Sequence, residues 1–189
     1  MHNRINAALV GISGLQAMIA TIGYERSDLS DFVFTLKFSN ISVLVDIRDR
    51  AQSRRLGFSK SALASTLAEA GIGYLHMPEL GDPKEGREAA RRNDWATFRK
   101  IFGGVIASRE AQAALSKLVE LASKENICLM CFERDQLQCH RKIVADDLCA
   151  RLQVKPMHLG VQAGVGRKAE IRRMRDHHQS AATSVQPVL

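Results

Sequence analysis

Short apolar runs alternate with amphipathic stretches along most of this chain. The apolar runs predict strands at residues 18–22, 42–45, 73–77, 127–131 and 154–159. Between them, apolar residues recur at helical spacing, as in Leu29, Phe32 and Leu36, which predicts helices that each bury one face. Because strands that alternate with helices form parallel sheets with right-handed crossovers, we predict an α/β protein. The expected architecture is a mainly parallel sheet of about five strands with helices packed against it, in the order 3-2-1-4-5.

The segment between the third and fourth predicted strands is longer than one crossover helix requires. Helical spacing predicts two helices in it, at residues 85–102 and 108–124. Trp95, Phe98 and Phe102 recur at spacings of three and four in the first of them. Aromatic residues at this spacing favour a buried helix face over a surface that stacks nucleic-acid bases.

The length of the chain, 189 residues of which 46% are hydrophobic, allows one sizeable core. We expect a single α/β domain at residues 18–161, preceded by an N-terminal extension at residues 1–17. Residues 162–189 are basic and end in small and polar residues, which predicts a partly disordered C-terminal tail. Four cysteines without a disulfide-rich layout favour a reducing compartment, so we expect a cytoplasmic protein. No apolar run reaches the roughly 18 to 20 residues that span a bilayer, so no membrane partner is expected.

The chain's densest group of reactive side chains follows the fourth predicted strand. Cys131 ends this strand, Glu133 lies in the loop after it, and Cys139, His140 and Arg141 open the next helix. The N-terminus of a helix presents unpaired N–H groups and a partial positive charge, which lower the pKa of a nearby thiol and attract anions. We therefore predict Cys139 as a nucleophile, Glu133 or His140 as an acid or base, Cys131 as a second reactive thiol and Arg141 as an anion-binding residue.

Polar residues also follow the first and second predicted strands. Gly23 and Tyr24 come after the first strand, and Asp46 and Arg48 come after the second. Because ligands bind at the carboxyl ends of strands in open α/β sheets, we predict that these four residues contribute to a substrate or anion site. For Asp46 and Arg48 a structural ion pair is the alternative. Residues 53–55, Ser-Arg-Arg, are a candidate phosphate-contacting loop, with a solvated loop as the alternative.

Five short motifs occur in one order along the chain: Thr-Ile-Gly-Tyr at 21–24, Val-Asp-Ile-Arg at 45–48, Glu-Leu-Gly-Asp at 79–82, Cys-Phe-Glu-Arg at 131–134 and Cys-His-Arg at 139–141. In these motifs the chain resembles the family called domain of unknown function 488, over about residues 20–161. The resemblance implies a Rossmann-like α/β domain with the motif residues gathered at one end of the sheet. It implies no particular activity.

The charge of the chain bears on its partners. Twenty-seven Lys and Arg against 20 Asp and Glu give a formal charge of +7, which favours a phosphate-bearing small molecule or nucleic acid. The Gly-x-Gly-x-x-Gly fingerprint of dinucleotide sites and the Gly-Lys-Ser/Thr of P-loops are both missing, so we predict neither NAD nor ATP by those routes and assign no cofactor. The sequence does not indicate an oligomeric state.

Two classes of function remain open at this point. The first is an enzyme that acts on a phosphate-bearing substrate, a nucleotide or a nucleic acid, through the Cys/Glu/His/Arg group. The second is a non-catalytic module that binds an anion or nucleic acid and senses redox state or metal through Cys131 and Cys139, which could also form a reversible disulfide. Zinc binding through Cys131, Cys139, His140 or His158 is a further alternative, but no metal site is predicted, because the C-x7-C-H spacing matches no standard zinc finger.

Overall fold

Five parallel strands form one sheet in the computed structural model, which describes residues 18–172. The strands are β1 (Ile19–Gly23), β2 (Val43–Asp46), β3 (Gly73–His76), β4 (Ile127–Cys131) and β5 (Met157–Leu159). Every residue of β1 and β4 is buried, as expected for parallel strands that are covered on both faces. Strands β3 and β5 lie at the two edges and are partly exposed. The predicted α/β class and five-stranded sheet are confirmed.

The predicted strand order is wrong at one pair of positions. The observed order is β3-β2-β4-β1-β5, so β4 rather than β1 lies next to β2. Hydrophobicity does not distinguish these two strands, because each is a five-residue run that is buried throughout. The carboxyl ends of all three central strands still meet at one edge: Gly23 pairs with Cys131, and Asp46 pairs with Met130.

Six of the helices in the described residues 18–172 are labelled in chain order. They are α1 (Leu29–Phe38), α2 (Lys60–Glu69), α3 (Lys84–Arg91), α4 (Trp95–Ile106), α5 (Arg109–Ala122) and α6 (His140–Leu152). Two short 3-10 turns occupy Pro78–Leu80 and Gln136–Gln138, and residues 165–172 are also helical.

The predicted helix at residues 85–102 is two helices, α3 and α4. The chain leaves α3 through Asn93, which has a positive φ of 59°. Asp94 then caps α4 by accepting a hydrogen bond from the backbone N–H of Thr97. An asparagine that tolerates the left-handed conformation followed by an aspartate that can cap a helix is a local signal for a break. The regular aromatic spacing across this region obscured that signal.

The core divides into two clusters, one on each face of the sheet. Side chains of β4 alternate between them: Ile127 and Leu129 contribute to one cluster, and Cys128 and Met130 to the other. Helices α1 and α2 supply the cluster around Cys128, whereas α4, α5 and α6 supply the cluster around Leu129. The result is three layers, helix–sheet–helix, with the polar loops at the carboxyl edge of the sheet.

The predicted N-terminal extension (residues 1–17) and most of the predicted C-terminal tail lie outside the described residues, so the domain limits remain a prediction. Within the described range, the backbone N–H groups of Gly164 and Gly166 each donate to the buried Asp31 carboxylate of α1 over 2.8 Å. Residues 164–166 therefore pack against α1. None of the helices between residues 18 and 172 is long and apolar enough to cross a membrane.

Candidate functional site

Four side chains come together where β4 passes into α6, and we call Cys131, Glu133, Cys139 and His140 the thiol–histidine cluster. Cys131 is the last residue of β4, His140 is the first residue of α6, and Cys139 is the N-cap of that helix. The thiol of Cys139 accepts a hydrogen bond from the backbone N–H of Arg141 over 3.5 Å, as an N-cap side chain does. The strand end and the helix start therefore position the two thiols toward each other.

The cluster is compact. His140 Nδ1 lies 3.7 Å from Cys131 Sγ and 3.9 Å from Cys139 Sγ. Cys131 Sγ also donates to Glu133 Oε2 over 3.1 Å. The other ring nitrogen of His140, Nε2, lies 3.0 Å from the carbonyl oxygen of Ile47, which follows β2. The two sulfur atoms and a His140 ring nitrogen all lie within 4.8 Å of one another, a proximity that the sequence spacing did not indicate.

Burial changes how readily the groups of the cluster ionise. Burial raises the pKa of Cys139 well above its ordinary value, and the hydrogen bond with Cys131 adds to this. The Cys139 thiol lowers the pKa of Cys131, but burial and the Glu133 carboxylate outweigh it and raise that pKa. The expected lowering of the Cys139 pKa by the helix N-terminus is therefore wrong, because the loss of hydration outweighs the helix field.

Glu133 and His140 shift toward their charged forms. Burial opposes ionisation of Glu133, but the neighbouring thiols of Cys139 and Cys131 stabilise the carboxylate and lower its pKa. Burial likewise opposes protonation of His140, but the Cys139 sulfur, the Ile47 carbonyl and the Glu133 carboxylate raise its pKa to about 9. At neutral pH Glu133 is therefore the negatively charged group of the cluster, whereas the two thiols and the imidazole are protonated.

Arg141 does not face the cavity as predicted. Its guanidinium donates to the backbone carbonyls of Glu133 and Arg134, and only 1% of the residue is exposed. Neither of the two cavities beside the cluster is lined by it. Arg141 therefore holds the loop between β4 and α6 in place and does not contribute to the anion-binding surface of the cleft.

A large basic cavity opens beside the cluster, and we call it the arginine lobe. It has a volume of about 720 Å³ and reaches Cys131, Glu133 and His140. Seven arginines line it: Arg26, Arg48, Arg50, Arg54, Arg55, Arg87 and Arg91. Four carboxylates offset them, those of Glu25, Asp49, Asp82 and Glu133, so the wall has a net positive charge without counting His140. Such a wall attracts anions.

A second cavity, which we call the aromatic lobe, adjoins the first. It has a volume of about 620 Å³ and is lined by Trp95, Phe98 and Phe132 together with Cys139 and His140. The two lobes share eight lining residues: Glu25, Arg26, Asp82, Arg87, Arg91, Phe132, Glu133 and His140. The thiol–histidine cluster therefore lies where two lobes of one cleft meet, with Cys131 on the wall of one lobe and Cys139 on the wall of the other.

Asp46 and Arg48 form a buried ion pair, which was the structural alternative. Asp46 Oδ1 accepts hydrogen bonds from the backbone N–H and the Nε of Arg48. Asp46 Oδ2 accepts two more, from Arg48 Nη2 and from the Tyr74 hydroxyl, and each of these two has a length of 2.6 Å. These bonds occupy both carboxylate oxygens, and Asp46 does not line the cleft. Arg48 does line the arginine lobe, while its Nη1 donates to the Tyr24 hydroxyl and to the Phe58 carbonyl. Asp46 therefore positions Arg48 rather than a ligand.

Gly23 and Tyr24 differ in their placement. A Cβ on Gly23 would overlap the carbonyl of Glu133, so the glycine permits the close approach of the loop and does not line the cleft. Tyr24 lines the arginine lobe, stacks on Phe58 with ring centroids 4.5 Å apart, and accepts the hydrogen bond from Arg48. Of the two predicted residues, only Tyr24 lies on the cavity wall.

Asp82 and Arg87 are among the cleft residues that were not predicted as site residues. Asp82 lines both lobes, is 5% exposed, and its Oδ1 has no hydrogen-bond partner in the described part of the chain. Burial raises its pKa from 3.8 to about 6, although His140 and Arg87 oppose this shift. Arg87 donates to Asp49 and to the backbone carbonyl of Asp82. The Glu-Leu-Gly-Asp motif at 79–82, which follows β3, was the available signal for Asp82.

Comparison with protein families gives one match: the model of the family Domain of unknown function DUF488 matches residues 28–148, which is more than half of the chain. This confirms the resemblance seen in the short motifs. Comparison with the curated proteins gave no match, and neither did comparison with the solved structures.

Proposed function

The chain belongs to the family Domain of unknown function DUF488, and we propose from the geometry of its site that it is an enzyme acting on a phosphate-bearing substrate, a nucleotide or a nucleic acid. The observation that carries this proposal is the arginine lobe, a basic cavity of about 720 Å³ that ends at the thiol–histidine cluster. Its volume lies in the range of small-molecule sites, and its charge suits phosphate.

The loop after β2 supplies most of the anion-binding surface. Arg48, Asp49, Arg50, Gln52, Ser53, Arg54 and Arg55 all line the arginine lobe. Arg55 donates through Nη2 to the carbonyl of Ser27, but its buried Nε has no hydrogen-bond partner in the described part of the chain. A buried N–H without a partner is costly, so a ligand oxygen that accepts from it would be favoured. This loop contains the Ser-Arg-Arg segment that the sequence indicated for phosphate contact.

The cluster supplies the chemistry in this proposal. A substrate whose phosphate lies against the loop after β2 would extend its remaining part toward Glu133 and His140, which line both lobes. Glu133 is the carboxylate that stays ionised and is therefore available to act as a base, because the two thiols lower its pKa against the effect of burial. Cys131 and Cys139 adjoin it, with Cys139 as the predicted nucleophile.

The competing function is a non-catalytic module that binds an anion or nucleic acid and senses metal or redox state through its cysteine pair. Its support is indirect, because one feature weakens the nucleophile of the enzyme: burial raises the pKa of Cys139, and the pKa of Cys131 is raised as well. A thiol that stays protonated at neutral pH is a poor nucleophile. The two functions predict the same anion-binding surface but differ in whether the bound ligand is converted.

Thermal unfolding in the presence of nucleotides, short single-stranded oligonucleotides and sugar phosphates tests the shared surface. A ligand at one hundred times its Kd stabilises the folded state by about 2.7 kcal/mol. For a chain of this size each kcal/mol raises Tm by roughly 2–4 °C, so a true ligand should raise Tm by about 5–10 °C. The double substitution Arg54→Ala and Arg55→Ala should abolish most of that shift.

Arg99→Ala is the matched control, because Arg99 is exposed on α4 and lies outside the lining of both lobes. It should keep the full ligand-induced shift. Equal shifts in the loop variant and in the control would contradict the proposed phosphate site. The stabilising ligand is then incubated with the protein and followed by mass spectrometry. Conversion that Glu133→Gln abolishes supports the enzyme, whereas binding without conversion supports the module.

A further inference from the structure

We propose that Cys131, Cys139 and His140 bind a thiophilic divalent cation, zinc by preference, at the junction of the two lobes. The donor atoms are the two sulfurs and Nδ1 of the imidazole. The proposal rests on the arrangement of these atoms and on the hydrogen bonds around them. It does not require the arginine lobe to bind phosphate.

The two distances from His140 Nδ1 to the sulfur atoms match those between ligands of a tetrahedral metal. With Zn–S bonds of about 2.3 Å and Zn–N bonds of about 2.0–2.1 Å, a tetrahedral centre places sulfur and nitrogen ligands about 3.6 Å apart. In the structure His140 Nδ1 lies 3.7 Å from Cys131 Sγ and 3.9 Å from Cys139 Sγ. The two nitrogen–sulfur distances therefore fit a zinc-sized tetrahedron, and all three donor atoms lie within 4.8 Å of one another.

The surroundings of His140 orient it as a metal ligand. Its Nε2 lies 3.0 Å from the carbonyl oxygen of Ile47, so this nitrogen carries the hydrogen and donates it. Histidines that bind metals commonly donate their second ring nitrogen to a carbonyl or carboxylate, which fixes the orientation of the ring. The ring also packs against Phe102, with centroids 5.1 Å apart. Both contacts direct Nδ1 toward the sulfurs.

The fourth position of the metal would face the cleft. His140 lines both lobes, Cys131 lines the arginine lobe and Cys139 lines the aromatic lobe. The buried residue Asp82 also lines both lobes, and its carboxylate could accept a hydrogen bond from a water on the metal. A Cys2His set with one open position is an arrangement of catalytic rather than structural zinc, and it activates the bound water.

Charge and protons balance in the binding step. Zinc binding releases the proton of each thiol and any proton on Nδ1, while Nε2 keeps the proton that it donates to Ile47. The two thiolates neutralise the two positive charges of the metal. Glu133, which accepts a hydrogen bond from Cys131 over 3.1 Å, is placed to take up a released proton and pass it to solvent. Two thiolates and one imidazole are donors that select zinc over magnesium or calcium.

Cobalt(II) is the spectroscopic probe for the site. The full-length protein is fully reduced, treated with a chelator, exchanged into metal-free buffer, and shown to contain four titratable thiols. Titration with Co²⁺ should then produce a thiolate-to-cobalt charge-transfer band and tetrahedral d–d bands that saturate at one metal per chain. Addition of Zn²⁺ should remove both sets of bands by displacement, because zinc binds such sites more tightly than cobalt.

Three substitutions remove one donor each and preserve the local fold. Cys139→Ser keeps an N-cap acceptor, Cys131→Ser changes one atom, and the amide of His140→Gln can still donate to the Ile47 carbonyl. Each should weaken Co²⁺ binding by more than the roughly 10- to 100-fold that loss of an outer-shell partner costs. Each cysteine substitution should also reduce the charge-transfer intensity. Circular dichroism confirms that each variant folds.

Cys149→Ser is the matched control, since Cys149 is buried on the same helix as His140 but is not in the cluster. It should retain the full cobalt spectrum. A reduced protein without a charge-transfer band, or equal losses in Cys149→Ser and Cys139→Ser, would overturn the proposal. The titration contains no phosphate ligand, so its failure would leave the proposed anion site untouched, and failure of the anion site would leave the metal site untouched.

Discussion

Replacement of Asp46 by leucine should destabilise the protein by about 3–5 kcal/mol, the usual cost of removing one partner of a buried ion pair. Asp46 is fully buried and its partner Arg48 is 5% exposed. Burial lowers the pKa of Arg48, and Asp46 raises it above the ordinary value. Because an arginine guanidinium stays protonated in proteins, Arg48 would remain charged without its partner.

The structure allows this magnitude to be worked out from individual bonds. Without Asp46, the backbone N–H, Nε and Nη2 of Arg48 and the Tyr74 hydroxyl lose their acceptor, while Nη1 of Arg48 keeps the Tyr24 hydroxyl and the Phe58 carbonyl. Each buried donor left without an acceptor costs about 1–3 kcal/mol, so the two side-chain donors of Arg48 alone cost about 2–6 kcal/mol. This range contains the ion-pair figure. At roughly 2–4 °C per kcal/mol, Tm should fall by about 6–20 °C.

Urea unfolding followed by circular dichroism measures the loss. The control is Asp146→Leu, which breaks the exposed ion pair of Lys142 and Asp146 on α6. The N–O distance in this pair is 2.5 Å, close to the 2.6 Å of the buried pair. Because exposed helix pairs contribute about 0.3–0.5 kcal/mol, the control should lose less than 1 kcal/mol. The double variant Asp46→Leu with Arg48→Met should lose no more than Asp46→Leu alone, since it leaves no unpaired charge. A loss below 1 kcal/mol in Asp46→Leu would refute the scaffold role and return Asp46 to the candidate ligands.

Three further outcomes are expected. Gly23→Ala should cost about 1–3 kcal/mol in urea unfolding, because its Cβ would overlap the Glu133 carbonyl, whereas Gly103→Ala on α4, which has open space around it, should be neutral or stabilising. Burial raises the pKa of Asp82 from 3.8 to about 6, so the stability that this group contributes is present below pH 4 and is lost as the pH rises through about 6. Asp82→Asn should flatten this part of the profile of stability against pH. An unchanged profile would contradict the assigned pKa. In chelator-treated protein at pH 7, iodoacetamide should label Cys139 and Cys131 more slowly than a free thiol of pKa about 8.5, because the pKa values of both thiols are raised. Peptide mass spectrometry measures the labelling, and faster labelling of Cys139 would support the prediction that its pKa is lowered.

The local pattern predicted the elements of the fold well and their arrangement less well. The run at residues 127–131 was predicted as a strand, and β4 has those bounds. The break at Asn93 was missed because regular aromatic spacing continues across it. The direction of Arg141 could not be predicted either, because its charge suggests an anion but its guanidinium donates to two carbonyls of its own loop. Spacing places a residue on an element, but the atom that a long side chain reaches depends on packing.

The same limit applies to the candidate site. Its residues were predicted one segment at a time, from the ends of three strands. Residues 53–55 line the arginine lobe, and their contact with phosphate stays a prediction. Asp82 was missed as a site residue, because the Glu-Leu-Gly-Asp motif does not indicate in the sequence that the carboxylate of Asp82 is buried. The metal-donor geometry was missed because Cys131 and Cys139 are brought together by a strand end and a helix start, and standard zinc-finger spacings do not describe that connection.

The strand order that was not predicted is what completes the cluster. Because β4 lies beside β2, the backbone N–H of Ile47 donates to the Met130 carbonyl over 3.1 Å, and the Ile47 carbonyl is then within 3.0 Å of His140 Nε2. In the order 3-2-1-4-5, β1 would separate these strands and move Ile47 away by about one strand spacing, 4.7–4.9 Å. His140 would then lose the acceptor that directs Nδ1 toward the two thiols. The exchange of β1 and β4 therefore determines how His140 is oriented toward the two thiols, although it leaves the fold class unchanged.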